Sequence, residues 1–186
     1  MHAWRMSLLI IAMAWGIVSP RRVVAQEAAG EYQVKAAFLP NFARYVEWPV
    51  TSLPEAASPL NIGIVGDDPF GGVLDGFLRG TLANGHPIRL QRLRWNDSLT
   101  GCQLLFISSS EVNHLPAILQ SLNGSSVLTV SDIERFSLSG GMIELRMVGN
   151  RVRFDINLVA ADQAHLKVSS KLLNVARAVI AQRGAR

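Results

Sequence analysis

The segment Gly66-Asp67-Asp68-Pro69-Phe70-Gly71-Gly72 is the first candidate for chemistry. It follows a short apolar run, Leu60 to Val65, and leads into a helix-like stretch ending at Leu78. Nucleotide-binding folds hold phosphate at such junctions, because the unpaired N–H groups that open a helix point at an anion. The spacing here matches neither G-x-G-x-x-G nor Gly-Lys-Ser/Thr, and two aspartates at the entrance would repel phosphate. Two readings remain. Asp68 is an N-cap with Pro69 in the first helical position. Alternatively, Asp67, Asp68 and Phe70 line a small cleft at the carboxyl ends of strands, where open α/β sheets bind ligands. Ser108, which opens the triplet Ser108-Ser109-Ser110, is expected at the same edge.

Other reactive types do not assemble. His86, His114 and His165 lie far apart, and none has a metal-type companion four residues away. A structural or solvated role is the simpler reading for each, and no metal site is expected. Ser131-Asp132 and the serine triplet invite a hydrolase reading, but no G-x-S-x-G elbow is present. No carboxylate pair is marked as acid and base. No catalytic residue and no cofactor are assigned, and the chain reads as a non-enzyme. The single cysteine, Cys102, has no intramolecular partner and precedes an apolar strand, so it reads as a small buried hydrophobe.

Two features could instead meet another protein. Tyr45 and Trp48 sit where a helix ends; they either pack that helix onto a sheet or form an aromatic anchor, since Trp and Tyr dominate interface hot spots. Glu144, Arg146, Arg153 and Asp155 share one face of a hairpin and are expected as a solvated outer face or a polar docking rim.

That hairpin is the most sharply specified element. Gly149-Asn150 separates two alternating runs, and such a pair takes positive φ at low cost. With Val148 opposite Arg151, the pairs Met147/Val152, Leu145/Phe154 and Ile143/Ile156 are all apolar. A slip of one residue would move that set into water, so the register is fixed. On the charged face, the diagonals Glu144–Arg153 and Arg146–Asp155 are complementary.

Upstream, Val34, Phe38, Phe42 and Tyr45 recur at helical spacing over 31–46, with Pro40 expected to kink or divide the helix near Leu39. Short apolar runs at 60–65, 88–93, 103–107 and 127–130 read as strands. Helices are expected over 69–78, from the serine triplet to Leu122, around 132–136, and over 169–181. Strands alternating with helices suggest βαβ units and a mostly parallel sheet, with the hairpin as an antiparallel addition. The expected fold is α/β: one three-layer, Rossmann-like sandwich with a C-terminal β-hairpin.

The first residues read as an export signal. Arg5 precedes the apolar run Met6 to Val18, and Val23-Val24-Ala25 supplies small residues before Gln26. Cleavage after Ala25 would leave 26–186 as one exported domain. The whole chain carries 18 Lys and Arg against 14 Asp and Glu. Arg5, Arg21 and Arg22 fall before the cut and no acid does, so the remainder is nearly neutral. Such a domain lacks the basic footprint of a nucleic-acid binder.

Four stretches in order carry a resemblance. They are Val34-Lys35-Ala36-Ala37-Phe38-Leu39, then Val46-Glu47-Trp48-Pro49, then Ile62 to Gly71, and finally Gly140-Gly141-Met142-Ile143 with Val152 to Asn157 and Ser169-Ser170-Lys171-Leu172-Leu173. Together they resemble the YfiR family of small exported bacterial proteins. The resemblance implies a Rossmann-like sandwich located in the periplasm. It implies a homodimer that represses a membrane diguanylate cyclase (YfiN-like) through that enzyme's periplasmic sensor domain. It also implies release by an outer-membrane lipoprotein (YfiB-like), and hence control of cyclic-di-GMP and biofilm formation. Some relatives carry cysteine pairs, which this chain lacks. A ligand-binding or sensor accessory module for a histidine kinase or other receptor is the alternative.

Overall fold

The computed structural model describes residues 20–53 and 58–181, with side chains from residue 29 onward. Helix α1 (Pro20–Tyr45) runs into a two-residue strand β1 (Val46–Glu47). Then follow β2 (Leu60–Val65), α2 (Gly72–Leu78), β3 (Leu82–Ala83), β4 (His86–Leu93) and β5 (Leu104–Ile107). After a 3₁₀ turn at Ser109–Glu111 come α3 (Leu115–Ser121), β6 (Leu128–Ser131), β7 (Ile143–Val148) and β8 (Arg151–Asn157). The chain closes with α4 (Leu158–Gln163), β9 (Lys167–Val168), α5 (Ser170–Leu173) and β10 (Ala178–Ile180). Most of the expected export signal lies outside the described residues. Among the described residues no helix is long and apolar enough to cross a membrane.

Eight strands form one sheet in the order β10-β8-β7-β6-β5-β2-β4-β3. The central pairings of β4, β2, β5, β6 and β7 are parallel, whereas β7–β8 is antiparallel. β1 and β9 pair separately. The mixed α/β sandwich expected from the sequence is present, with the sheet covered on both faces. Ile62, Ile64, Phe106, Val130 and Leu145 turn one way, against Ala36, Leu39 and Phe42 of α1. Val65, Leu105 and Ile107 turn the other way, against Leu115 and Ile118 of α3 and Ile133 and Phe136. Strands buried on both faces read as continuous apolar runs, which is why β2 and β5 were legible.

The hairpin takes the register expected of it, from Val148↔Arg151 through Ile143↔Ile156. Several helices do not follow the sequence pattern. Pro40 lies within α1 without dividing it. Ala36, Leu39, Phe42 and Ala43 are all fully buried around it, so tertiary packing outweighs the missing N–H donor. The helix expected from Pro69 begins only at Gly72, because Asp68 Oδ1 accepts from Phe70 N at 2.8 Å and Gly71 N at 3.2 Å, holding a turn. The helix expected after the serine triplet divides into the 3₁₀ turn and α3. The segment 132–136 is a set of turns, with Arg135 at φ 62°.

The largest correction is the terminal helix. It stops after α5, and β10 then pairs parallel to β8, Ala178 beside Asp155 and Ile180 beside Asn157. The outer edge of β8 would otherwise be unpaired. The β-branched residues Val179 and Ile180 suit that strand, and Arg177 carries a charge wanted at the edge.

Gly141 marks a close approach: a Cβ there would lie 2.1 Å from Cε1 of the buried Phe136 ring. Gly141→Ala is expected to cost about 1–3 kcal/mol through overpacking, seen as a lower urea midpoint with an unchanged m-value.

Candidate functional site

The hairpin's charged face is built inward as well as outward. Glu144 is 2% exposed and Asp155 5%, so the expected solvated face is corrected for these two residues. Glu144 Oε2 accepts from Ser137 Oγ at 2.7 Å and Ser137 N at 3.1 Å, and Oε1 accepts from Arg135 N at 3.2 Å and from Arg146. The carboxylate thereby holds the 132–139 turns against β7. Burial pushes its pKa up, but the hydrogen bonds from Arg146 and Ser137 outweigh that and hold it below the usual value. Asp155 is gripped by Arg177, whose Nε donates at 2.7 Å, and faces Arg146 Nε at 3.5 Å. The diagonal Arg146–Asp155 thus forms, while Glu144 takes Arg146 from its own strand in place of Arg153. Arg153 is exposed. Arg177→Leu is expected to cost about 2 kcal/mol, the value of hydrogen bonds to a charged group. Amide exchange in β10 checks this; protection there should fall before the central strands change.

A second cluster sits at the carboxyl ends of β2, β5 and β6. Lys35, 4% exposed, contacts Glu31 at 2.5 Å and Asp132 at 2.6 Å. Tyr32 Oη donates to the same Asp132 oxygen at 2.9 Å. The other oxygen of Asp132, Oδ1, is buried with no hydrogen-bond partner among the described residues. Burial, and next the Asp132 charge, raise the Tyr32 pKa well above its ordinary value, so the phenol stays neutral. The residues proposed for a cleft meet at this edge. Ser108 N bonds Val65 O at 3.0 Å, and Asp67 N bonds Ser110 Oγ at 3.0 Å. Phe70 is buried beneath Tyr32 and Phe106, with centroids 5.8 and 4.7 Å away. Ser108 Oγ caps the 3₁₀ turn, and Asp68 pairs with Arg92 at 2.8 Å. Spacing alone could not signal the Lys35–Asp132 contact, whose partners are 97 residues apart.

Tyr45 and Trp48 are half-buried against the α1 core. Trp48 Nε1 donates to Gln103 O at 3.0 Å, tying the end of α1 to the start of β5. The histidines stay apart: His86 Nδ1 meets Ser58 O at 2.9 Å, and His114 stacks on Trp95 and pairs with Glu111. Among the described residues no three His, Cys, Asp or Glu side chains cluster as metal ligands would. Burial raises the Cys102 thiol to about 11, which keeps it unreactive.

One surface escaped the sequence reading. A groove of about 890 Å³ lies between α1 and the hairpin tip, floored by Val34, Phe38, Met147 and Val152. Met147 keeps the inward register but the tip reaches past the core, so it is 41% exposed.

A solved structure, a conserved domain protein from Vibrio cholerae O1 biovar El Tor, is similar in fold. Its TM-score is 0.50 at 14% identity over 64% of this chain, and the match spans 54% of that protein's length. That likeness concerns architecture alone. A family model described as YfiR/HmsC-like matches residues 32–177, from the Tyr32–Lys35 cluster through the hairpin to Arg177. The chain belongs to the YfiR/HmsC-like family.

Proposed function

We propose that the chain is a non-enzymatic periplasmic regulator of cyclic-di-GMP signalling, exported after removal of residues 1–25. It binds the periplasmic sensor domain of an inner-membrane diguanylate cyclase and holds that enzyme inactive. The observation that carries this reading is the YfiR/HmsC-like match across residues 32–177. Repression by binding requires tighter association with the inactive geometry than with the active one; equal affinity for both would shift nothing. The working form is a homodimer, and an outer-membrane lipoprotein relieves repression by competing for it. Tyr45, Trp48, Arg146 and Arg153 remain the proposed contact residues, supported by their incomplete burial.

Affinity purification of the tagged, exported chain from membranes tests this. Recovery of a diguanylate cyclase, with raised cyclic-di-GMP in a deletion strain, is expected. Recovery of unrelated proteins alone, with cyclic-di-GMP unchanged, overturns it.

A second reading is a ligand-binding accessory module for a histidine kinase or other receptor. Asp132 Oδ1, buried at the carboxyl edge of the sheet and without a partner among the described residues, favours it. A thermal-shift screen of small amines and amides tests it, and a response abolished by Asp132→Ala would support it.

A further inference from the structure

The tip of the hairpin extends beyond the sheet on both sides. β6 pairs with β7 only at Ile143 and Glu144, and β10 pairs with β8 only from Asp155 to Asn157. Phe154 O accepts from Arg177 N at 2.8 Å, so Phe154 points its backbone groups off the outer edge of β8. Alternation along an antiparallel strand then turns the N–H and C=O of Val152 to that same edge, ahead of the first β10 pair. These groups have no strand partner among the described residues, and free edge groups of this kind template another strand.

Chemistry on the two faces of this edge differs. Val152 faces α1 and lies in the groove with Val34 and Met147, which are 48% and 41% exposed. Arg151 and Arg153 alternate with Val152 along β8 and also border the groove, are exposed, and have no acidic partner among the described residues. Glu31, the acidic residue among the described residues of the groove lining, is engaged by Lys35.

We propose that the free edge of β8 at Arg151–Arg153, with the adjoining groove, receives an extended segment of a partner protein in which apolar and acidic residues alternate. Side chains of an added strand point to alternate faces. Its apolar positions seat on Val34, Met147 and Val152, and its acidic positions lie beside Arg151 and Arg153. A second copy of this chain is disfavoured at the edge. Antiparallel self-pairing centred on Val152 would set Arg151 of each copy opposite Arg153 of the other, and like charges directly opposed destabilise a sheet. The inference deepens the reading that this chain acts by gripping another protein.

The test places a benzoylphenylalanine photo-crosslinker at Val34 or Met147 of the full chain, expressed and exported in its own cells, and maps the crosslinked peptide. An extended acidic–apolar segment of another protein is expected. Arg151→Glu with Arg153→Glu should lower the crosslink yield at least tenfold with an unchanged thermal midpoint, and acid-to-lysine changes in the captured segment should restore it. A crosslink to a second copy or to this chain's own N-terminal region overturns the inference. So does no crosslink above the unirradiated control, or a yield indifferent to charge reversal. The identity of the captured protein separates the two claims. A non-cyclase with such a segment leaves this surface standing and counts against the cyclase reading. A cyclase that co-purifies equally with the double variant leaves the cyclase reading standing and removes this surface.

Discussion

Glu144→Leu is expected to be among the most destabilising single substitutions in the chain. The change removes an acceptor serving Ser137 N, Ser137 Oγ, Arg135 N and Arg146 at once. Two backbone donors and a hydroxyl are then left beside an apolar side chain, and Arg146 loses its nearest countercharge. Removing one member of a buried charge network typically costs about 3–5 kcal/mol. Arg146 is 34% exposed, which places the cost at the lower end, about 3 kcal/mol. For a chain of this size that corresponds to a fall in thermal midpoint on the order of 10 °C. Glu144→Gln keeps acceptor oxygen at the site and should cost less, but it should change the pH profile. The folded-state pKa of Glu144 lies below its ordinary value of 4.5. Its stabilising contribution is therefore fully present above pH 4.5 and is lost as pH falls through the lower folded value. The glutamine variant should show a flatter acid limb in a plot of urea midpoint against pH. An acid limb identical to that of the unmodified chain would show that Glu144 does not carry this dependence.

The second large effect is expected at Lys35. Lys35→Met leaves Asp132, whose side chain is 8% exposed, without its cation and near Glu31. The Tyr32 hydroxyl continues to donate to Asp132 but brings no charge. A loss of about 3–5 kcal/mol is expected, with α1 loosening from the carboxyl edge before the sheet opens. Amide exchange should show that order. Adding Asp132→Leu to the lysine variant should recover much of the loss, because an apolar pair of similar volume replaces a buried ion pair at little cost. A double variant as unstable as the sum of the two single ones would mean that the residues do not act as a pair.

The sequence made some elements readable and hid others for identifiable reasons. Alternation between Ile143 and Ile156 set the hairpin register, because one face is apolar and a slip is costly. The apolar runs of β2 and β5 were readable from burial on both faces. The fate of residues 174–180 was not. Leu172, Leu173, Ala176, Val179 and Ile180 fit a helical stripe, yet the open edge of β8 and the charge on Asp155 draw Arg177 and the residues after it into a strand. Local pattern cannot report an unpaired edge formed 23 residues earlier in the chain. The charged residues of the hairpin were identified by type and face, but Glu144 and Asp155 serve the interior because the 132–139 turns and Arg177 fold over them. The Lys35–Asp132–Tyr32 cluster and the groove depend on how α1 lies across the sheet, which no periodicity encodes.

The central claim is that this chain acts by binding, with preference for one state of its partner. The most direct measurement titrates the purified chain into membranes containing the diguanylate cyclase expected to co-purify with it and follows cyclic-di-GMP production. A saturable fall in turnover, weakened when Arg151 and Arg153 are reversed in charge, is expected. Turnover that stays constant while the chain is bound at saturation would contradict the claim, since it would mean equal affinity for the active and inactive states.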